Sequence, residues 1–341
     1  MLNTQAVIGK YSRMLRANIF VIFFVLWMIV SILITHRMHL FSWNPILPSS
    51  SSSMTSKNPT NDCLTRIGDY RGIQLYSQND EDGALLQTLR CMGGHGTKEY
   101  FEFGSESGTE VNTRILRDLY GWHGHLLDGS NENPDINLHK EFITPQNIIS
   151  LLEKYQVSQH LDVLSVDTDY DDFYILREIL LAGYRPRVFL IEFNVNLGTD
   201  WSISTKAKPI GKEHVTTWQK DCYFGASALA LINLSKVFRY TPVFSNNVNL
   251  IFVDLQKANN LEMMIPSVQN FPGPYAMAIH RSCSGKTWKQ INENIVQKLA
   301  SDSKVSHTDF ANSFEDIKFN VEEYPDLKHG KRGWRIFKQV K

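Results

Sequence analysis

Between residues 98 and 255 the chain alternates short apolar segments, several of which stop in an acid or a glycine, with longer segments of helical spacing. KEYFEFGS (98–105), HGHLLDGS (123–130), LDVLSVDTD (161–169) and RVFLIEFN (187–194) read as strands. QNIISLLEKYQ (146–156), DDFYILREILLAG (171–183) and YFGASALALINLSKVF (223–238) read as helices, and QNDEDGALLQTLRCM (78–92) precedes them as an amphipathic helix capped at Asn79 or Asp80. Strands separated by helices of this length require a parallel sheet with helices on both faces. RYTPVFS (239–245) and VNLIFVDL (248–255) are separated by Asn246 and Asn247, which suits an antiparallel hairpin. The expected fold class is therefore α/β and Rossmann-like, a parallel sheet closing in an antiparallel terminal hairpin. Such sheets take ligands beyond the carboxyl ends of their strands, where the acids of this chain fall.

Charge matters here through its distribution. The 341 residues carry 35 Lys+Arg and 35 Asp+Glu, but no acid precedes Asp62. Lys10, Arg13, Arg16, Arg37 and Lys57 belong to that leader, which leaves 30 bases against 35 acids from Asp62 onward. A body with a charge of about −5 argues against nucleic acid as a partner, because phosphate binding calls for a basic surplus. Ala17 to Thr35 are 19 residues without a charge; at ~1.5 Å per residue they nearly span a ~30 Å hydrocarbon layer. No small-x-small cleavage site follows closely, so an anchor fits better than a cleaved signal peptide. Bases flank the run mainly on its amino side, which puts the N-terminus in the cytosol. The expected layout is a cytosolic tail (1–16), a transmembrane signal-anchor (17–37), a flexible Ser/Pro stem (38–62), a folded body (63–255) and a C-terminal extension (256–341). Such a single-pass type II membrane protein, with a lumenal body, is laid out like a Golgi resident. Cys63, Cys91, Cys222 and Cys283 then lie in an oxidising compartment, with three pairings open. The sequon Asn233-Leu234-Ser235 falls within an expected helix, where use as a glycan site is not expected.

Two constellations carry chemistry. Glu102-Phe103-Gly104-Ser105-Glu106-Ser107-Gly108 follows the first strand, and its glycines let a ligand approach the backbone. Asp128, at the end of the second strand, can accept hydrogen bonds from both ribose hydroxyls of a nucleoside. The second constellation, Asp167-Thr168-Asp169-Tyr170-Asp171-Asp172, holds four carboxylates in six residues. Asp167 and Asp169 could remove a hydroxyl proton or hold a divalent metal, while Asp171 or Asp172 caps the next helix. Glu192 and Asn194 end the next strand and are expected at the same crevice. The long polar loop 195–222, with Trp201, His214 and Trp218, is a candidate cover.

These segments resemble the FkbM-like S-adenosylmethionine-dependent methyltransferases, in particular the animal branch linked to glycan O-methylation. The matching stretches are YSQNDEDG (76–83), FEFGSESGTEVNT (101–113), GWHGHLLDGS (121–130), FITPQNI (142–148), LDVLSVDTD (161–169), YRPRVFLIEFN (184–194), YFGAS (223–227) and NNVNLIFV (246–253). The resemblance implies the seven-stranded methyltransferase fold, with S-adenosyl-L-methionine held near Glu102, Gly104, Gly108, Asp128 and Asp167. Catalysis would fall to Asp167, Asp169 and Glu192, with a divalent cation at Asp167 and Asp169 compatible but not demanded. This chain departs from the family pattern twice. The middle glycine of FGxGxG is Glu106, which is expected to crowd the cofactor, and the glycine of the D-I-D-G motif is Tyr170, strained if that position needs positive φ.

The expected activity is methyl transfer to a hydroxyl of a glycan or glycoprotein acceptor. One alternative is a D-x-D glycosyltransferase, because Asp167-Thr168-Asp169 imitates its metal motif. Another is a non-catalytic membrane protein with a decayed fold, which Glu106 and Tyr170 favour. In the extension, KTWKQINENIVQKLA is helical in pattern, and KHGKRGWRIFKQVK (328–341), with six bases and no acid, reads as a solvated basic tail.

Overall fold

A computed structural model describes residues 63–70, 74–197, 202–205, 224–246, 248–258, 319–325 and 333–339. The anchor and stem expected at 17–62 lie outside the described residues, as do Cys222, Cys283, Trp201, His214, Trp218 and the helical stretch near 286–300. Among the described residues no helix is long and apolar enough to cross a membrane.

The expected alternation is present. β1 (Glu99–Phe103), β2 (His123–Asp128), β3 (Leu138–Lys140), β4 (Val163–Val166) and β5 (Val188–Glu192) run parallel. β7 (Tyr240–Ser245) and β8 (Asn249–Asp254) form the antiparallel hairpin, with β8 inserted between β5 and β7. The resulting sheet of seven strands has the order β3-β2-β1-β4-β5-β8-β7 and is Rossmann-like and mostly parallel. α1 (Glu81–Cys91), α2 (Arg114–Tyr120), α3 (Ile148–Lys154), α4 (Asp172–Leu181) and α5 (Ala228–Val237) accompany it.

Strand residues alternate between two cores because side chains have a period of two. Phe101, Phe103, Leu164, Val166, Phe189 and Ile191 share one core with residues of α3, α4 and α5. Tyr100, Val163, Val188 and Leu190 share the other with residues of α1 and α2. Burial on both faces explains why the strands read as continuous apolar runs. It also assigns Glu102, Ser165 and Glu192, by their even spacing from Tyr100, Val163 and Leu190, to the α1/α2 face.

Helix ends follow local chemistry. Ser227 caps α5 by accepting from Ala230 N–H at 3.2 Å. Asp80 and Asp171 do occupy the N-cap positions of α1 and α4, but neither makes a side-chain cap bond. α2, missed in the sequence, ends on Gly121 at φ +64, with Trp122 N–H bonded to Leu116 O at 3.1 Å, a Schellman-type closure. A disulfide joins Cys63 to Cys91 at the end of α1. Ser235 of the sequon is fully buried and donates to Leu231 O within α5.

The C-terminal segment corrects the sequence reading. Gly333–Gln339 is not a free basic tail but β10, the central strand of a second sheet ordered β6-β10-β9. Its neighbours are β6 (Ile203–Thr205) and β9 (Phe319–Pro325), both antiparallel to it. Backbone donors and acceptors in 333–339 thereby gain partners that a solvated tail would leave to water. β6, from the segment before the expected boundary at 255/256, thus pairs with a strand from beyond it.

Candidate functional site

Strand order reverses between β1 and β4, so the connections leaving their carboxyl ends part in opposite directions, the switch point at which such sheets form a crevice. Gly104, immediately after β1, has φ +74, and a Cβ there would stand 1.5 Å from the Asp167 carbonyl oxygen. Only glycine allows the ends of β1 and β4 to approach so closely. Gly108, at φ +76, makes room in the same way for Ile136, whose Cδ1 would be 2.3 Å from an added Cβ. Gly104 and Ser105 N–H both donate to Leu127 O, at 3.1 and 3.3 Å, pinning the loop to the end of β2.

Glu102 orients the rest of that loop. It is 4% exposed, and its Oε1 accepts from Asn112 N–H at 2.9 Å and Ser165 Oγ at 3.2 Å. Its Oε2 accepts from Thr113 N–H at 2.9 Å and from the Thr113 hydroxyl. Burial pushes this carboxyl above its ordinary range, against the opposing pull of those hydrogen bonds. Both oxygens are occupied by the chain itself, so the observed role of Glu102 is to hold the end of the loop 104–113.

Asp128 stands across the crevice mouth. Oδ1 accepts from Ser130 N–H, Asn131 N–H and Asn131 Nδ2, at 2.8, 2.8 and 2.9 Å. Among the described residues, Oδ2 accepts only from Glu106 N–H, at 3.1 Å. A carboxylate oxygen has two acceptor sites, so Oδ2 retains one for an incoming hydroxyl. Glu106 itself has φ +44 and an exposed side chain. Glu106 thus takes a left-handed conformation that glycine adopts more readily, on an exposed stretch of the loop. The condition set for strain at Tyr170 is not met: it is buried and has no positive φ. The left-handed residue is Asp169, at φ +67, one position earlier, and aspartate tolerates that region better than tyrosine does.

Beyond β4 and β5 the remaining acids converge. One oxygen each from Asp167, Asp169 and Glu192 lies within 4.8 Å of the others. All three residues are partly exposed, whereas Asp172 beside them is fully buried. Asp172 Oδ1 accepts from Thr168 N–H at 2.6 Å and Thr168 Oγ1 at 3.1 Å, which seats it on the segment carrying both aspartates. Its Oδ2 has no hydrogen-bond partner, nor does Glu192 Oε2. Burial pushes the Asp172 carboxyl up to about 7. Asp167 and Glu192 are held well above the carboxylate range, first by burial and then by the neighbouring charges. Carboxyls shifted upward together in one crevice are candidates for proton transfer. Asp172, read from the sequence as a cap, was the missed member.

Asn194 is not a crevice residue. It is fully buried, with N–H donating to Ala226 O at 2.7 Å and Nδ2 to Phe224 O at 2.8 Å, so it fastens the end of β5 to YFGAS. The acids of QNDEDG are scaffold too. Asp82 Oδ2 gathers Leu75, Tyr76 and Ser77 N–H, and Glu81 Oε1 takes Asn246 Nδ2 at 2.7 Å and Asn249 Nδ2 at 3.1 Å, locking α1 to the terminal hairpin. A scan against protein-family models gave no match, and a search of curated proteins gave none either.

Proposed function

We propose that the chain is an S-adenosyl-L-methionine-dependent O-methyltransferase acting on a sugar or glycan hydroxyl. We further propose that it works in the Golgi as a single-pass type II membrane protein. The observation that carries the reading is the strand order β3-β2-β1-β4-β5-β8-β7 with β8 antiparallel. That is the arrangement of the seven-stranded methyltransferase fold, and the resemblance of the strand-end motifs to FkbM-like enzymes supports the same assignment.

The residues present suit such a cofactor. Asp128 Oδ2 has an acceptor site for a ribose hydroxyl, and its carboxylate is fixed by the Ser130 and Asn131 amides. Gly104 brings the backbone to the crevice, and Glu102 fixes the loop beyond it. S-adenosylmethionine, when bound, supplies an electrophilic methyl on a sulfonium. The acidic crevice favours that cation. Asp167 or Asp169 would take the proton that the acceptor hydroxyl gives up on methylation. Burial, with the charges of Asp172 and Asp169, raises the proton affinity of Asp167. Most of the acceleration in this in-line displacement comes from alignment.

Incubation of the detergent-solubilised full-length chain with methyl-labelled cofactor and a glycan panel tests the reading. Label appearing in a glycan supports it; no incorporation together with no cofactor binding rejects it. The acid triad gives a second reading, a D-x-D glycosyltransferase, its specific support. Thermal stabilisation by S-adenosylhomocysteine favours the first, and stabilisation by uridine diphosphate with manganese the second.

A further inference from the structure

We propose that His125, His139 and Asn137 form a proton-operated latch that holds the edge strand β3, with the turn before it, to β2 and releases both as the histidine pair charges. β3 has three residues and a single neighbour, β2, in its sheet. Few backbone bonds hold so short an edge, so side chains decide whether it stays. Asn137 Nδ2 donates to Gly124 O at 2.6 Å and lies 3.0 Å from His125 Nδ1. The amide cannot be turned round, because Oδ1 would then face the Gly124 carbonyl oxygen. An amide nitrogen only donates, so Nδ1 is the acceptor and neutral His125 carries its hydrogen on Nε2. His139 Nε2 stands 3.1 Å from the same Nδ1 and must be a donor as well. Two donors therefore meet one lone pair, and a proton on His125 Nδ1 would turn both contacts repulsive.

The surroundings keep the pair neutral. The Tyr155 ring covers both imidazoles, with centroids 4.3 Å from His139 and 5.1 Å from His125, and Phe101 of β1 lies 6.3 Å from His125. His123 on β2 repels a charge on His125, and Lys154 of α3 repels one on His139; Glu141 and Glu132 attract one on His139. Glu141 is already engaged by the Tyr155 hydroxyl at 2.7 Å and by Lys154. Glu99 of β1 accepts from Ser158 N–H, and Lys140 and Asp128 alternate onto the opposite face. Burial, the largest influence, lowers the proton affinity of both rings. Their contribution is thus present above the unfolded ~6.5 and lost as pH falls, because the released rings take up protons more readily. Release reaches the crevice by two routes: Glu141 N–H donates to Asp128 O at 2.8 Å, and Ile136 packs against Gly108 in the loop after β1. The latch consists of the chain's own bonds, so it stands apart from the methyl-transfer reading.

The test is amide exchange of the detergent-solubilised full-length chain at pH 7.5 and 5.5, corrected for intrinsic rates and without any cofactor. Protection in 124–141 should fall by about tenfold or more at the lower pH, while 163–166 and 188–192 do not follow. In His125→Asn, Oδ1 takes the place of Nδ1 and does not titrate, so protection should persist at both values. His139→Phe keeps a ring against Tyr155 and removes one titrating group, so the step should shrink. No step in the wild type would overturn the proposal, as would a step of the same size in both variants. A loss spread equally over β4 and β5 is general acid unfolding and overturns it too. If one variant fails to fold, the other and the wild-type profile decide.

Discussion

Glu102→Gln probes the link between strand register and the loop beyond β1. The carboxylate takes two donors on each oxygen, one of each pair being a backbone N–H that cannot turn away. Glutamine keeps one acceptor and places an NH2 against the other pair. Ser165 and Thr113 hydroxyls can rotate to accept from it, but Asn112 or Thr113 N–H is left without a partner. An orphaned buried donor costs about 1–3 kcal/mol. Loss of charge assistance on the remaining bonds adds to this, and release of a buried charge subtracts. A net loss of about 2 kcal/mol is expected, or a Tm lower by roughly 4–8 °C at ~2–4 °C per kcal/mol. Urea unfolding measures the first number, and amide exchange should show faster opening confined to residues 104–113. S-adenosylhomocysteine affinity should fall with it, because the loop is no longer held. A stability change below about 0.5 kcal/mol, with unaltered exchange, would refute the assignment of Glu102 as the loop's anchor.

Three further outcomes are expected. Glu106→Gly should stabilise the chain by about 1 kcal/mol, since a side chain at φ +44 bears the left-handed penalty, and should tighten nucleoside binding by removing an acid from the loop whose N–H meets Asp128; thermal shifts with and without S-adenosylhomocysteine read both. His125 Nδ1 lies 3.1 Å from His139 Nε2 and 3.0 Å from Asn137 Nδ2, and burial lowers the pKa of both histidines. Folded values below the unfolded ~6.5 mean that this stability is present above that pH and lost as pH falls through it. The acids of the crevice shift oppositely, so the comparison of wild type with His125→Phe across pH 5 to 7.5 isolates the histidine contribution. Reduction of the Cys63–Cys91 bridge, which spans 28 residues, should cost about 3–4 kcal/mol; unfolding with and without dithiothreitol, against Cys63→Ala, measures it.

Legibility in the sequence followed locality. β1, β2, β4 and β5 were readable because burial makes them short, largely apolar runs. α2 was missed although Ile115, Leu116 and Gly121 signal it, because seven residues carry few periods. β3 has only three residues, and β6 pairs Ile203 with Ile336 far along the chain, so no local pattern announces either. At the site, acids at strand ends were visible as such. The locking of Glu102 by Ser165 across β1 and β4 depends on register, and a shift of one residue would break it. Asp172 looks like any helix-opening aspartate until its buried, unpartnered oxygen is seen. The positive φ at Asp169 rather than Tyr170 is set by the turn between β4 and α4, which residue types alone do not fix.

The most direct test of the central claim is calorimetric titration of the full-length chain with S-adenosylhomocysteine, alongside Asp128→Asn. The account predicts one site per chain in the wild type and at least tenfold weaker binding in the variant, because Oδ2 loses an acceptor aimed at the ribose. No binding by the wild type, or equal affinity in both proteins, would contradict it.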